Sequence, residues 1–92
     1  MILSFKCSDT QDLFEGRRVA RFVNIQNAAL RKLAMLHRVT QVEELRIPPG
    51  NRLESLKGDR NHLYSIRVND QWRVCFAFKN GHAWDVEIID YH

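Results

Sequence analysis

Two periodicities divide the chain. Through the first half apolar residues recur every three to four positions, and from Tyr64 onward they alternate with other residues, the spacings of a helix face and of a strand face. Ser8 followed three residues later by Gln11 has the form of a capping box, with Leu13 and Phe14 as the apolar side of a short helix that Gly16 ends. Asn24 is the predicted N-cap of a longer helix in which Ile25, Ala29, Leu33 and Leu36 share one face, while Arg31, Lys32 and Arg38 fall elsewhere. Thr40 and Glu43 predict another capped turn through Leu45. Pro48-Pro49-Gly50 then stops any helix. Ile2 to Phe5 alternates weakly, as a short edge strand would, and Arg17 to Val23 is basic and has no clear period.

After the prolines the alternation is sustained. Tyr64, Ile66 and Val68 form one apolar set, Trp72, Val74, Phe76 and Phe78 a second, and Trp84, Val86 and Ile88 a third. They predict three strands of an antiparallel meander, with Leu53 to Leu56 as a fourth. Because every apolar set is even-numbered, a two-residue turn at Asn80-Gly81 would oppose the wrong faces. A three-residue loop, Lys79-Asn80-Gly81, keeps them matched and pairs Phe76 with Trp84, Val74 with Val86, and Arg73 with Glu87. The same parity at Asn69-Asp70-Gln71 pairs Ile66 with Val74 and sets Arg67 opposite Arg73. The expected fold class is α+β: an N-terminal strand and two helices packed on a C-terminal antiparallel β-sheet. Residues 1–92 make one domain, jointed at Pro48 to Gly50, because neither half can bury its apolar face alone.

Charge adds a direction to this picture. The net charge is +3, a mild pointer to a polyanionic partner. Its distribution says more: from Gly16 to Val42 there is no acid, while Arg17, Arg18, Arg21, Arg31, Lys32 and Arg38 are basic. That set reads either as a solvated helical face or as a surface for a polyanion. Arg52, Lys57 and Arg60 form a second set. There is no apolar run of about 18 residues and no charged segment leading into an apolar stretch, so no membrane span or secretory leader is expected, and the expected location is cytoplasmic. Two cysteines, Cys7 and Cys75, are too few for a disulfide framework, and four scattered histidines match no metal-ligand spacing. No metal and no cofactor is expected.

Parity puts Arg67, Arg73, Asp85, Glu87 and Tyr91 on the sheet face opposite the apolar one. Like charges directly opposite each other destabilise a strand pair, so Arg67 and Arg73 need an anion, either Asp85 or Glu87, or a bound phosphate. Cleaving RNA through its own 2′-hydroxyl requires a base for that hydroxyl, a proton for the leaving 5′-oxygen and positive charge on the phosphate. Arg73 carries a planar fork suited to phosphate oxygens, with Lys57 or Arg60 as a second cation. Histidine, here His92, can donate or accept a proton near neutrality. Tyr91 can stack on a base or hydrogen-bond to the phosphate, and Glu54 is a candidate base or orienting group. Residue by residue, each also has an ordinary reading as a packed strand tyrosine or a chain end.

The run Pro49-Gly50-Asn51-Arg52-Leu53-Glu54, then Leu56-Lys57-Gly58-Asp59-Arg60, then Tyr64 to Phe76 with its Trp72-Arg73 pair, and finally Val86 to His92 with its closing Asp90-Tyr91-His92, resembles the HigB branch of the RelE/ParE toxin superfamily. The resemblance is close over the second half and holds in outline over the first. It implies a RelE-like fold and a toxin of a type II toxin–antitoxin pair that cuts mRNA on the ribosome. It also implies neutralisation by a HigA-like helix-turn-helix antitoxin, with operator DNA met only through that antitoxin and no membrane partner. By position, Arg73 would stabilise the phosphate and Tyr91 and His92 would complete the active site. Asp90 would orient or support them, and Lys57, with Arg60, Arg67 and Arg52, would contact RNA. Some members carry histidine where this chain has Glu54, an acid that places negative charge beside a phosphate. Most of the proton transfer is therefore expected of His92. Two other functions share these features: a non-enzymatic growth inhibitor of the ParE type acting on DNA gyrase, and an RNA- or ribosome-binding module that does not cut.

Overall fold

The computed structural model describes residues 1–56 and 62–90. Helix α1 spans Ser8–Phe14 and α2 spans Gln26–Arg38, followed by strands β1 (Glu54–Ser55), β2 (Leu63–Arg67), β3 (Trp72–Lys79) and β4 (His82–Asp90). Short 3-10 turns occupy Ala20–Phe22, Val42–Arg46 and Pro49–Asn51. Helix α1 has Cys7 as N-cap with no side-chain cap bond, so the expected Ser8–Gln11 box does not form. It ends as expected at Gly16, whose φ of +90° lets its N–H and that of Arg17 reach back to the carbonyls of Leu13 (3.0 Å) and Asp12 (2.8 Å).

In α2 the N-cap is Ile25 rather than Asn24. Its buried stripe is the predicted one, with Ala29, Leu33 and Leu36 fully enclosed. The capped turn that follows is shifted by one residue from Thr40 and Glu43 to Gln41 and Glu44. Seating Leu45 wholly in the core fixes the phase of that turn and leaves Glu44 to accept the Thr40 and Gln41 N–H groups, both at 2.8 Å. Those backbone bonds hold the Glu44 carboxyl below its ordinary range.

The four strands form one antiparallel sheet in the order β1-β2-β3-β4. The helices pack on its inner face around Phe22, Leu13, Leu33, Leu36, Ile66 and Phe76. Phe22 meets Trp72 edge-on with ring centroids 5.5 Å apart. The outer edge of β4 is covered by the N-terminal segment, which runs parallel to it through Ile2↔Ala83 and Phe5↔Val86. Thr10 continues that cover, its hydroxyl accepting the Ile88 N–H at 3.0 Å. Covering an edge in this way leaves fewer unpaired backbone groups to template foreign strands.

The β2–β3 hairpin has the expected register, with Ile66 opposite Val74 and Arg67 opposite Arg73. The β3–β4 hairpin does not. Lys79 pairs with His82, so the connection is the two-residue turn Asn80-Gly81, and both residues have left-handed φ values of 56° and 80°. Asn-Gly takes up this geometry readily, and its twist suits the flanking strands. The turn opposes Phe78 to Ala83 and Ala77 to Trp84, and one extra residue in β4 then repairs the mismatch. Asp85, at φ +52° and exposed, stands with Val86 opposite Phe76. Beyond it Cys75 pairs with Glu87, Val74 with Ile88, Arg73 with Ile89, and Trp72 with Asp90. The expected pairs Phe76–Trp84, Val74–Val86 and Arg73–Glu87 are therefore replaced. Ala83, Val86 and Ile88 turn inward, and Trp84 turns to the outer face. The bulge is anchored by the Asp85 N–H, which donates to the Ser4 hydroxyl at 2.8 Å.

Asp85 tolerates the left-handed region better than a β-branched residue. Asp85→Val should therefore cost about 1–3 kcal/mol, the usual range for strain at such a position, and Asp85→Gly should stay within about 0.5 kcal/mol of the parent. Urea denaturation of both variants measures the difference.

Candidate active site

Arg73 stands near the start of β3 on the outer face, yet only 7% of its surface is exposed. A guanidinium so enclosed must have its donors satisfied by the protein. Its Nε donates to the Ser65 hydroxyl at 3.0 Å across the β2–β3 pair. Its Nη2 donates to the Arg52 carbonyl at 2.6 Å and, more weakly, to the Ser65 carbonyl at 3.4 Å. The same nitrogen lies 3.2 Å from the Glu54 carboxylate, whose side chain is 54% exposed. The Arg73 side chain thus extends over β2 to β1, and Ser65, Arg52 and Glu54 contribute to its orientation.

These contacts correct the source of the balancing charge. Arg73 is paired with Glu54, and Arg67 is paired with Asp70 from the adjoining turn. Asp85 and Glu87, the expected anions, are carried elsewhere by the bulge. Glu87 sits opposite Cys75 and 3.7 Å from Lys6, and the Asp85 carboxylate accepts the Ser4 hydroxyl at 3.4 Å. Both opposed arginines therefore have a carboxylate, as the cross-strand repulsion demands.

Of the other sequence-predicted residues, Asp90 ends β4 opposite Trp72, and its carboxylate accepts the Gln71 side-chain amide at 3.0 Å. It is exposed at the rim formed by the β2–β3 turn. The Arg52 side chain is exposed, whereas its carbonyl is part of the Arg73 cradle. Lys57, Arg60, Tyr91 and His92 lie outside the described residues. The structure brings together Arg73, Glu54 and the Arg52 backbone, with Arg67 one strand away.

Ser65 was missed by sequence reasoning, although its odd number puts it on the outer face next to Arg67 in β2 and opposite Cys75. A small hydroxyl one pleat from a predicted phosphate arginine was the signal available. The Arg52 carbonyl gave none, since it owes its direction to a left-handed backbone at φ 46°.

Below the arginines the outer face sinks into a groove of ≈ 580 Å³ lined by Leu56, Leu63, Cys75, Trp84, Glu87 and Ile89, with Lys6 and Lys79 among its other walls. Burial, with the Glu87 charge beside it, pushes the Cys75 thiol up to about 11. It is a protonated packing group near neutral pH and no nucleophile. Among the described residues no group of three or more His, Cys, Asp or Glu side chains is placed to hold a metal ion. The long basic set is partly neutralised: Arg17 pairs with Asp12 and Glu15, and Arg21 with Asp9. Arg18, Arg31 and Arg38 are exposed. Among the described residues no helix is long and apolar enough to cross a membrane.

The family described as "HigB-like toxin: RelE-like toxin of type II toxin-antitoxin system HigB" matches residues 4–92. The chain is similar to Toxin HigB-1 of Vibrio cholerae serotype O1, 40% identical over 85 residues that cover 90% of each protein. It is also similar to Endoribonuclease HigB of Proteus vulgaris, 37% identical over an alignment of 98 residues covering 100% of each. An uncharacterized protein of Haemophilus influenzae is 40% identical over 57 residues, 62% of this chain and 56% of that one.

Ser65→Ala removes the acceptor of the Arg73 Nε–H while leaving the charge enclosed. An unsatisfied buried donor of this kind costs about 1–3 kcal/mol. The expected loss should appear as a lower urea midpoint, and Ser65→Thr, which keeps a hydroxyl, should recover part of it.

Proposed function

This chain belongs to the HigB-like family, RelE-like toxins of type II toxin–antitoxin systems, and from that premise we propose that it is an endoribonuclease that cuts mRNA on the ribosome. The name of the Proteus vulgaris relative supports the activity. Within this chain the observation that carries it is the enclosed Arg73, held from behind by Ser65 and the Arg52 carbonyl and met by an exposed carboxylate. The place that Glu54 takes beside Arg73 is one an anion can reach from solvent, and a phosphate oxygen there would gain a charge-assisted bond.

In the proposed reaction the 2′-oxygen attacks phosphorus, the bond from phosphorus to the 5′-oxygen breaks, and a 2′,3′-cyclic phosphate and a 5′-hydroxyl result. Arg73 meets the charge that grows on the equatorial oxygens, where a preorganised donor is most effective. His92 moves the proton, taking it from the 2′-hydroxyl or giving it to the 5′-oxygen, with Tyr91 at the base or phosphate and Asp90 supporting both. Glu54 is the alternative base once it has left Arg73. Lys57, Arg60, Arg67 and Arg52 hold the RNA backbone, and Arg18, Arg31 and Arg38 face ribosomal RNA. The whole of residues 1–92 acts as one toxin domain in the cytoplasm, and no metal or cofactor takes part.

As a type II toxin the protein has a partner antitoxin. We assign that partner to the HigA-like helix-turn-helix class, through which alone the toxin meets operator DNA.

Purified toxin added to translating ribosomes should generate new mRNA 5′-ends, and Arg73→Ala should slow their appearance by about 10²–10³-fold, the usual loss of one electrostatic donor. Deleting Tyr91 and His92 should abolish cutting and growth inhibition together. Growth inhibition that survives the deletion would replace this reading with gyrase-type inhibition, and ribosome binding with uncut message would replace it with a binding module.

A further inference from the structure

Arg52 is an arginine in the left-handed region, at φ 46° and ψ 56°, where side chains other than glycine, asparagine and aspartate are uncommon. Such a conformation persists only where its surroundings over-determine it. The residue before it supplies the constraint. Asn51 is fully buried; its Oδ1 accepts from the Lys32 ammonium at 2.5 Å, and its Nδ2 donates to the Leu45 carbonyl at 3.1 Å. The same Nδ2 lies 3.0 Å from the Met35 sulfur and 3.5 Å from the Ile47 carbonyl. One side chain thus ties α2 to both segments that precede the sheet. The backbone N–H groups of Asn51 and Arg52 close the turn onto the Pro48 and Pro49 carbonyls, each at 3.0 Å. The next polar atom along the chain is the Arg52 carbonyl, 2.6 Å from Arg73 Nη2.

From this continuous set of contacts we infer that Asn51, held by Lys32, is a positioning residue for the RNA-cleaving site: it fixes the Arg52 carbonyl that aims the Arg73 guanidinium. The inference rests on the reading of Arg73 as the phosphate-stabilising group. A lysine is suited to the task because Asn51 Oδ1 lies inside the fold, where an acceptor without a donor is costly, and a long stem can bring an ammonium there from the partly exposed side of α2. Burial first, and then the Arg31 and Arg67 charges, hold the Lys32 ammonium below its ordinary range, which fits a cation engaged inside rather than displayed to solvent. If the tie is cut, the turn is free to relax to negative φ, the Arg52 carbonyl turns away, and Arg73 keeps its β2 contact while losing its aim.

Substituting the buried Asn51 can unfold the protein, so the informative variants are at Lys32. Lys32→Met keeps helix propensity and stem volume but removes the donor, and Lys32→Gln restores an uncharged donor. Thermal melts verify that both fold. With mRNA on ribosomes as substrate, Lys32→Met should lower kcat on the order of tenfold with KM nearly unchanged, the signature of a lost alignment rather than lost binding. Lys32→Gln should recover most of it. In arginine-labelled protein the Nε–H NMR signal of Arg73, assigned by its disappearance in Arg73→Lys, should broaden or exchange faster in Lys32→Met and recover in Lys32→Gln.

A folded Lys32→Met protein with unchanged kcat and an unchanged Arg73 signal overturns the inference. So does a Lys32→Gln protein as impaired as Lys32→Met, since charge and not the hydrogen bond would then matter. Arg73→Lys that cuts at the parent rate overturns the functional reading instead, and the NMR signal still reports whether Lys32 positions the side chain.

Discussion

An arginine enclosed within the sheet imposes a demand that the rest of this fold is arranged to meet. Moving a guanidinium out of water is tolerable only if the protein returns hydrogen bonds of comparable quality. Ser65 supplies one from the adjacent strand, the Arg52 carbonyl supplies another from beyond β1, and Glu54 supplies the countercharge. Each donation constrains a different segment. Ser65 requires the β2–β3 register, Arg52 requires the turn after the prolines, and that turn requires the docking of α2. Strands β1, β2 and β3 and the turn that leads into them meet at this one side chain, and the basic character of the chain becomes local there instead of diffuse.

The three contacts differ in how readily they yield. Ser65 and the Arg52 carbonyl are internal and belong to the frame, whereas the Glu54 carboxylate reaches Arg73 from solvent. A site built this way keeps its cation oriented while its anionic partner can be exchanged, which is what a phosphate-binding arginine requires. The arginines before α2 behave differently. Arg17 and Arg21 are offset by carboxylates of the short first helix, so part of the charge visible in the sequence is spent on local order.

Much of this was legible in the residues, and the failures have physical causes. Alternation over Tyr64–Val68 and Trp72–Phe78 was enough to place Arg67 against Arg73, because no residue interrupts the period there. The same logic failed in the next hairpin because it assumes an unbroken alternation, and a single left-handed residue resets the phase. Asp85 looks like any outward polar residue, and Trp84 looks like a core residue until Ala83 is seen in its place. The cradle of Arg73 was half legible. Ser65 carries its hydroxyl in plain view, whereas the Arg52 carbonyl is a main-chain group whose direction depends on a dihedral angle that no residue name encodes. Lys32 and Asn51 were hidden for a related reason: a lysine on a basic helix reads as solvent-facing, and only the packing shows it turned inward.

The bulge in β4 also decides which residue of that strand can be spared. Asp85 is the surplus residue: the tight turn pairs Ala77 with Trp84, and from Cys75–Glu87 onward every partner lies one position further along. With Asp85 removed, Val86 would follow Trp84 directly, the alternation of inward Ala83, Val86 and Ile88 with outward Trp84 and Glu87 would run unbroken, and the pairs beyond the bulge would stay as they are. A one-residue gap elsewhere in the strand has no such remedy, since it would turn core residues outward, so β4 has a single position at which its length can change without exchanging its faces.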